Sequence, residues 1–269
     1  GSYALASETT GNKSVAIGHG ALYTQNSTSS ADMLNTAVGN AAGNLLTTGK
    51  ENTFIGGLAG DAITTSNYNT ALGSGALGAD DLGSFSTAIG RGTLANQNYA
   101  SATNSFNTAV GANAGEQITT GVQSTLIGGL AGDVLTTGGL TAVGYSSGGS
   151  ATTSIGNVFM GELSGASVTT GNDNTAVGSQ ALTTAVTAVS NSAFGHDALR
   201  VATGNGNSAL GYNAGAGATT TDHSVFIGYE AGGGATLTGH DNTYVGMRAG
   251  KVTTSGQRNT FIGRDAGSN

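Results

Sequence analysis

Asn174-Thr175-Ala176-Val177-Gly178 is one instance of a phrase that the chain writes fifteen times. The copies close on Gly18, Gly39, Gly56, Gly73, Gly90, Gly111, Gly128, Gly144, Gly161, Gly178, Gly195, Gly211, Gly228, Gly246 and Gly263. Most steps are 17 residues; the exceptions are 21 before Gly39 and Gly111, 16 before Gly144 and Gly211, and 18 before Gly246. A unit this short cannot bury an apolar side alone, so copies must stack and share a core. The expected fold is an all-β parallel β-solenoid with about 17 residues per coil and roughly 15–16 coils, forming one repeat domain over residues 1–269. Strand-like stacking at about 4.8 Å per coil gives a rod roughly 70–75 Å long.

Composition removes several alternatives. Glycine is 48 of 269 residues, but proline is zero and the glycines keep fixed phases, so the chain is not low-complexity. Charged residues are 9% and the net charge is −7, which leaves no basic footprint for nucleic acid. Cysteine is absent, so neither disulfides nor thiolate metal sites are available. No apolar run approaches the roughly 20 residues of a membrane span. Both ends fall inside a repeat without a cap, as expected of a segment cut from a longer chain.

The unit reads N-T-A-Φ-G-x-x-A-G/L-x-x-Φ-T-T-G-x-x, with Φ apolar. Its first five positions are β-prone and bounded by glycine, which predicts a strand. A second short strand is expected at Leu46-Thr47-Thr48, Ile63-Thr64-Thr65, Ile118-Thr119-Thr120, Leu135-Thr136-Thr137 and Val168-Thr169-Thr170, turned by Gly49, Gly121, Gly138 and Gly171. A longer period overlies this one. Residues 35–106 and 107–178 read as an internal duplication, and long connectors at 23–34 and 95–106 should bulge from the same face.

Alternation along the strand gives two apolar faces. The valine position is apolar in all fifteen copies and is expected to line the coil. The alanine position comprises Ala16, Ala37, Phe54, Ala71, Ala88, Ala109, Leu126, Ala142, Phe159, Ala176, Ala193, Ala209, Phe226, Tyr244 and Phe261. It is assigned to the axis of a parallel homotrimer, since a long apolar stripe in water is an aggregation hazard. The leading Asn, present in ten copies, predicts a buried ladder of side-chain amides bonded from coil to coil rather than a metal site.

Ser14-Val15-Ala16-Ile17-Gly18-His19-Gly20-Ala21-Leu22 resembles the head repeats of trimeric autotransporter adhesins. The NTAVGxxAG form with intervening TTG is similar, more closely, to the repeat shafts of phage tail fibres, which often precede an endosialidase-type intramolecular chaperone domain. The 17-residue period is longer than the usual adhesin head repeat, and neither stalk nor chaperone domain is present, so the fibre is favoured. The resemblance implies a homotrimer in a virion tail fibre that attaches to a host cell-surface receptor. A bacterial surface adhesin is the alternative.

Chemistry is sparse. His19 and His196 follow a strand glycine whereas His223 and His240 precede a strand, so no nucleophile–base arrangement is set up. Asp80-Asp81 reads as a solvated turn. No enzyme, cofactor or metal site is expected. The residues after the strand glycine vary most, and in the last five repeats they include His196, Tyr212, Tyr229, Arg248 and Arg264. Stacked coils would gather these into a column whose rings could meet the faces of sugars. An ice-binding solenoid, suggested by the Thr-Thr pairs, is the remaining alternative.

Overall fold

The computed structural model describes every residue except Ser154, Ala235 and Asn269. It comprises two compact units, Gly1–Gly139 and Leu140–Asn269. In the first unit the strands Val15–Ile17, Thr36–Val38, Thr53–Ile55, Thr70–Leu72, Thr87–Ile89, Thr108–Val110 and Thr125–Ile127 stack in parallel and in register. In the second, Thr141–Val143, Val158–Met160, Thr175–Val177, Ser192–Phe194, Ser208–Leu210, Val225–Ile227, Thr243–Val245 and Thr260–Ile262 do the same. Each unit is thus a parallel β-solenoid with one three-residue strand per coil.

The phrase explains this geometry position by position. Its closing glycine has φ near +130°, and a Cβ at Gly178 would lie 2.4 Å from the carbonyl oxygen of Gly195 on the next coil. No other residue fits such a column. The leading Asn forms the expected ladder. The amide N of Asn191 donates to Asn174 Oδ1 at 3.0 Å, and Asn174 Nδ2 donates to the Ala188 carbonyl at 2.7 Å. In the first unit Asn69 and Asn52 repeat the backbone-to-Oδ1 bond at 2.9 Å. These bonds satisfy amides that would otherwise be costly to bury.

The strand faces are the reverse of the expectation. From Ala37 to Tyr244 the alanine position is buried inside its own coil, at 0–2% exposure. Only Ala16 and Phe261, in the terminal coils, are half-buried. The fifteen residues assigned to a trimer axis are therefore the interior of a single chain. What decides the face is complementarity with the position four residues after the glycine, always Leu or Gly. This position is left-handed throughout, for instance Leu182 at φ 53° and Gly165 at φ 59°. Leu22, Leu77, Leu94, Leu182 and Leu199 occur where the strands of their own coil and of the next both have Ala. Glycine occurs wherever a large side chain adjoins: a Cβ at Gly43 or Gly60 would strike the Phe54 ring at 2.7 or 2.6 Å. Gly148 and Gly165 flank Phe159 in the same way, and Gly215 and Gly232 flank Phe226. Each ring fills the space that two leucines would occupy, so the core keeps nearly constant volume.

The second strand is absent. Leu46, Ile63, Ile118, Leu135 and Val168 are fully buried, yet the Thr-Thr pairs after them bend instead of extending. Their first hydroxyls donate to the next coil: Thr47 Oγ1 to the Thr64 carbonyl at 3.0 Å, and Thr169 Oγ1 to the Val186 carbonyl at 3.0 Å.

The duplicated connectors rejoin the stack at equivalent places. Asn12 bridges Asp32, and 72 residues later Ser84 pairs with Asn104. Beneath each lies a polar core. Seven residues after the glycine, where other coils bury an apolar side chain, stand Glu8 and Gln25 in one copy and Asp80 and Gln97 in the other. Gln25 Nε2 donates to Glu8 Oε2 at 2.9 Å, and Gln97 Nε2 donates to Asp80 Oδ2 at 2.6 Å. The amide of Asn35 donates to Gln25 Oε1 at 2.9 Å and that of Asn107 to Gln97 Oε1 at 2.8 Å, which ties both networks to the Asn ladder.

Asp80 is therefore no solvated turn: it is 0% exposed. Burial pushes its carboxyl up to about 6, against the bonds from Gln97 and the Gly83 amide. Glu8 goes the other way. Burial raises it too, but hydrogen bonds from Gly11, Gln25, Thr10 and Ser27 together hold it below the ordinary range. Because Asp80 binds its proton more tightly folded than unfolded, its contribution to stability is full below about pH 4 and is lost as pH rises through about 6. The swing is about 3 kcal/mol at 1.36 kcal/mol per pH unit. Urea midpoints of Asp80→Asn and the parent chain should diverge across that window, with the parent losing stability relative to the variant as pH rises. Parallel curves would show that Asp80 is not held in this way.

Candidate functional site

The variable corner of the second unit is where exposed chemistry concentrates. His196, Tyr212 and Tyr229 each follow a strand glycine, so the coil repeat sets them one above another. Their rings stack, with centroids 5.4 Å apart at 14° and 5.3 Å apart at 12°. The column expected from the sequence is thus present for these three residues. Rings stacked this closely spend their faces on each other and offer mainly edges and hydroxyls to a ligand.

Arg248 and Arg264 do not join the stack. Arg248 belongs to the next position of the corner, where its Nε lies 3.5 Å from Glu230 Oε2, while Lys251 Nζ lies 2.6 Å from the same oxygen. The Lys251 hydrogen bond chiefly, with both cations helping, holds the Glu230 carboxyl below its ordinary range. Arg264 pairs with Asp265 at 3.2 Å and is largely exposed. His196 Nδ1 lies 3.2 Å from Asp197 Oδ2, and Arg200 Nε lies 3.6 Å from Asp197 Oδ1.

A second exposed feature escaped the sequence reading. The valine position points outward in every coil: Ile17 is 57% exposed, Leu72 44%, Leu210 55% and Ile262 70%, and no member of the column is buried. Beside it runs the threonine position, mostly half-buried. Each unit therefore presents a sheet face made of one threonine-rich and one aliphatic column. In the first unit Tyr68, Phe85 and Phe106 extend the apolar surface, their rings stacked at 4.8 and 5.3 Å, each immediately before a strand's leading Asn or Ser. The signal was available, since apolar residues occupy the valine position fifteen times out of fifteen.

Among the described residues no cluster of His, Asp and Glu could hold a metal ion. Among the described residues no helix is long and apolar enough to cross a membrane. No protein-family model matches the sequence, and a search among curated proteins found no similar chain.

Proposed function

We propose that the chain is a structural and adhesive fibre segment, of the phage tail-fibre kind its repeats resemble, built as a parallel homotrimer and presenting a receptor-binding surface to a host cell. The observation that carries this reading is the outward aliphatic column, present at every coil of both units. Water-exposed apolar surface costs about 25 cal/mol per Å², and a stripe repeated at every coil accumulates that cost along the fibre. A second copy of the same chain is the partner that fits, because its identical repeat keeps aliphatic residues facing aliphatic residues at every level. Three copies in parallel close a ring around one axis and leave the variable corners outside.

Adhesion is tested by adding fluorescently labelled chain to a panel of bacterial strains. Saturable binding to some strains, competed by unlabelled chain, is expected. Uniform absence of binding would remove the adhesive half of the reading and leave a structural shaft.

One observation favours a second reading. The exposed face of the first unit carries threonine at six successive coils, from Thr36 to Thr125, as an ice-binding surface would. The Thr-Thr pairs do not contribute, because their bonded hydroxyls are spent between coils. A monomer that produces thermal hysteresis would move the assignment to ice.

A further inference from the structure

We infer that the second unit carries a binding trough for an uncharged oligosaccharide, distinct from the aromatic stack and built by an irregularity in the repeat. This rests on the adhesive reading and names the receptor class it would use. The trough has a volume of about 550 Å³ and spans four successive coils, from Gln180 through Asp197 and Asn213 to Thr236.

Its origin is visible in residue counts. From the strand glycine to the buried residue that opens the second half of the coil is seven positions at Gly195–Ala202 and at Gly211–Ala218, but nine at Gly228–Leu237. Leu237 is nonetheless fully buried and bridges Ala218, so the longer stretch rejoins the stack at the same place. Gly233, Gly234 and Thr236 thereby form a wall that regular coils lack. Two coils earlier, Arg200 and Val201 complete the lining.

The lining selects the ligand. Gln180 and Asn213 bring amides, groups that both donate and accept as vicinal sugar hydroxyls require, while the Thr219 hydroxyl already donates to the Leu237 carbonyl at 3.2 Å. Asp197 Oδ1 is buried without a hydrogen bond and lies 3.6 Å from Arg200 Nε, so carboxylate and guanidinium form one ion pair on the trough wall. Asp197 and Arg200 balance in charge, and the chain's net −7 disfavours a polyanion. A peptide adding as a β-strand has no edge to join. The backbone here is already paired between coils, as in Gly215 N to Ala231 O at 2.8 Å and Thr219 N to Leu237 O at 2.9 Å.

The test is an immobilised array of bacterial surface polysaccharides, both uncharged and anionic, probed with the labelled parent chain and two variants. Asp197→Asn with Asn213→Ala removes polar contacts, and Thr236→Trp, at an exposed wall position, fills the trough. Binding to uncharged glycans should fall about tenfold or more in the first variant, the loss expected for a charge-assisted hydrogen bond, and should also fall in the second. Circular dichroism should show both variants folded. If the parent binds no uncharged glycan, or if Thr236→Trp binds as the parent does, the inference is overturned. Bacterial binding that persists in both variants would overturn the trough and leave the adhesive role standing.

Discussion

Val177→Asp combined with Phe194→Asp should leave each chain folded and release it from the proposed trimer. The two residues are register partners on adjacent coils, and both point outward, with Phe194 40% exposed. Neither substitution enters the coil interior, so circular dichroism and the thermal midpoint of the isolated chain should change little. In the assembly each loses an apolar side chain worth about 1.5–3 kcal/mol when buried. Three copies also bring six carboxylates around one axis, where like charges leave water together. The effect on association is therefore many kcal/mol, and light scattering should report monomers. A variant that remains trimeric would mean that the chains associate through some other face.

The neighbouring residue should behave in the opposite way. Ala176→Asp lies one position along the same strand, but its side chain points into the coil, at 0% exposure, in a stretch where Leu182 and Leu199 are also fully buried. The carboxylate would find no cation there. An uncompensated buried charge costs about 3–5 kcal/mol, or the group must take up a proton to enter. In a stacked repeat that loss falls on both neighbouring coil interfaces, so the second unit should unfold at a much lower denaturant concentration. Recovery of part of the stability at low pH, as the carboxyl protonates, would confirm that charge is responsible. If Ala176→Asp instead dissociated a well-folded chain, the face assignment made here would be wrong.

These paired outcomes turn on the point where sequence reasoning went astray. The repeat, the parallel stacking and the Asn ladder were legible because each depends only on phase: Asn174 recurs, so its amide meets its own copy one coil on. Which apolar face looked inward was not legible from alternation, since alternation says only that the faces differ. Preference for alanine suits close packing inside one coil as well as an axis between chains, and here it serves the first. The deciding signal lay outside the strand, in the rule that leucine follows only where alanines adjoin and glycine where Phe54, Phe159 or Phe226 must fit.

Two further features were misread because phase was not followed far enough. Asp80 stands seven residues after Gly73, the core phase occupied by Leu46 and Ile63 in their coils, and it is buried accordingly. The Thr-Thr pairs looked like strands by composition. Leu or Gly in left-handed conformation three residues before the buried apolar position turns the chain there, and the threonine hydroxyl takes the coil-to-coil bond. At the candidate site, the column His196, Tyr212 and Tyr229 was legible from spacing alone. Its rings being closed against each other, and the trough lined by Gly233, Gly234 and Thr236, required coordinates.

The central claim is that the outward aliphatic face is covered by copies of the same chain. Multi-angle light scattering on the purified parent chain tests it most directly. The account predicts a mass three times the 26.0 kDa of the single chain, unchanged on dilution through the micromolar range. A stable 26.0 kDa particle would contradict it.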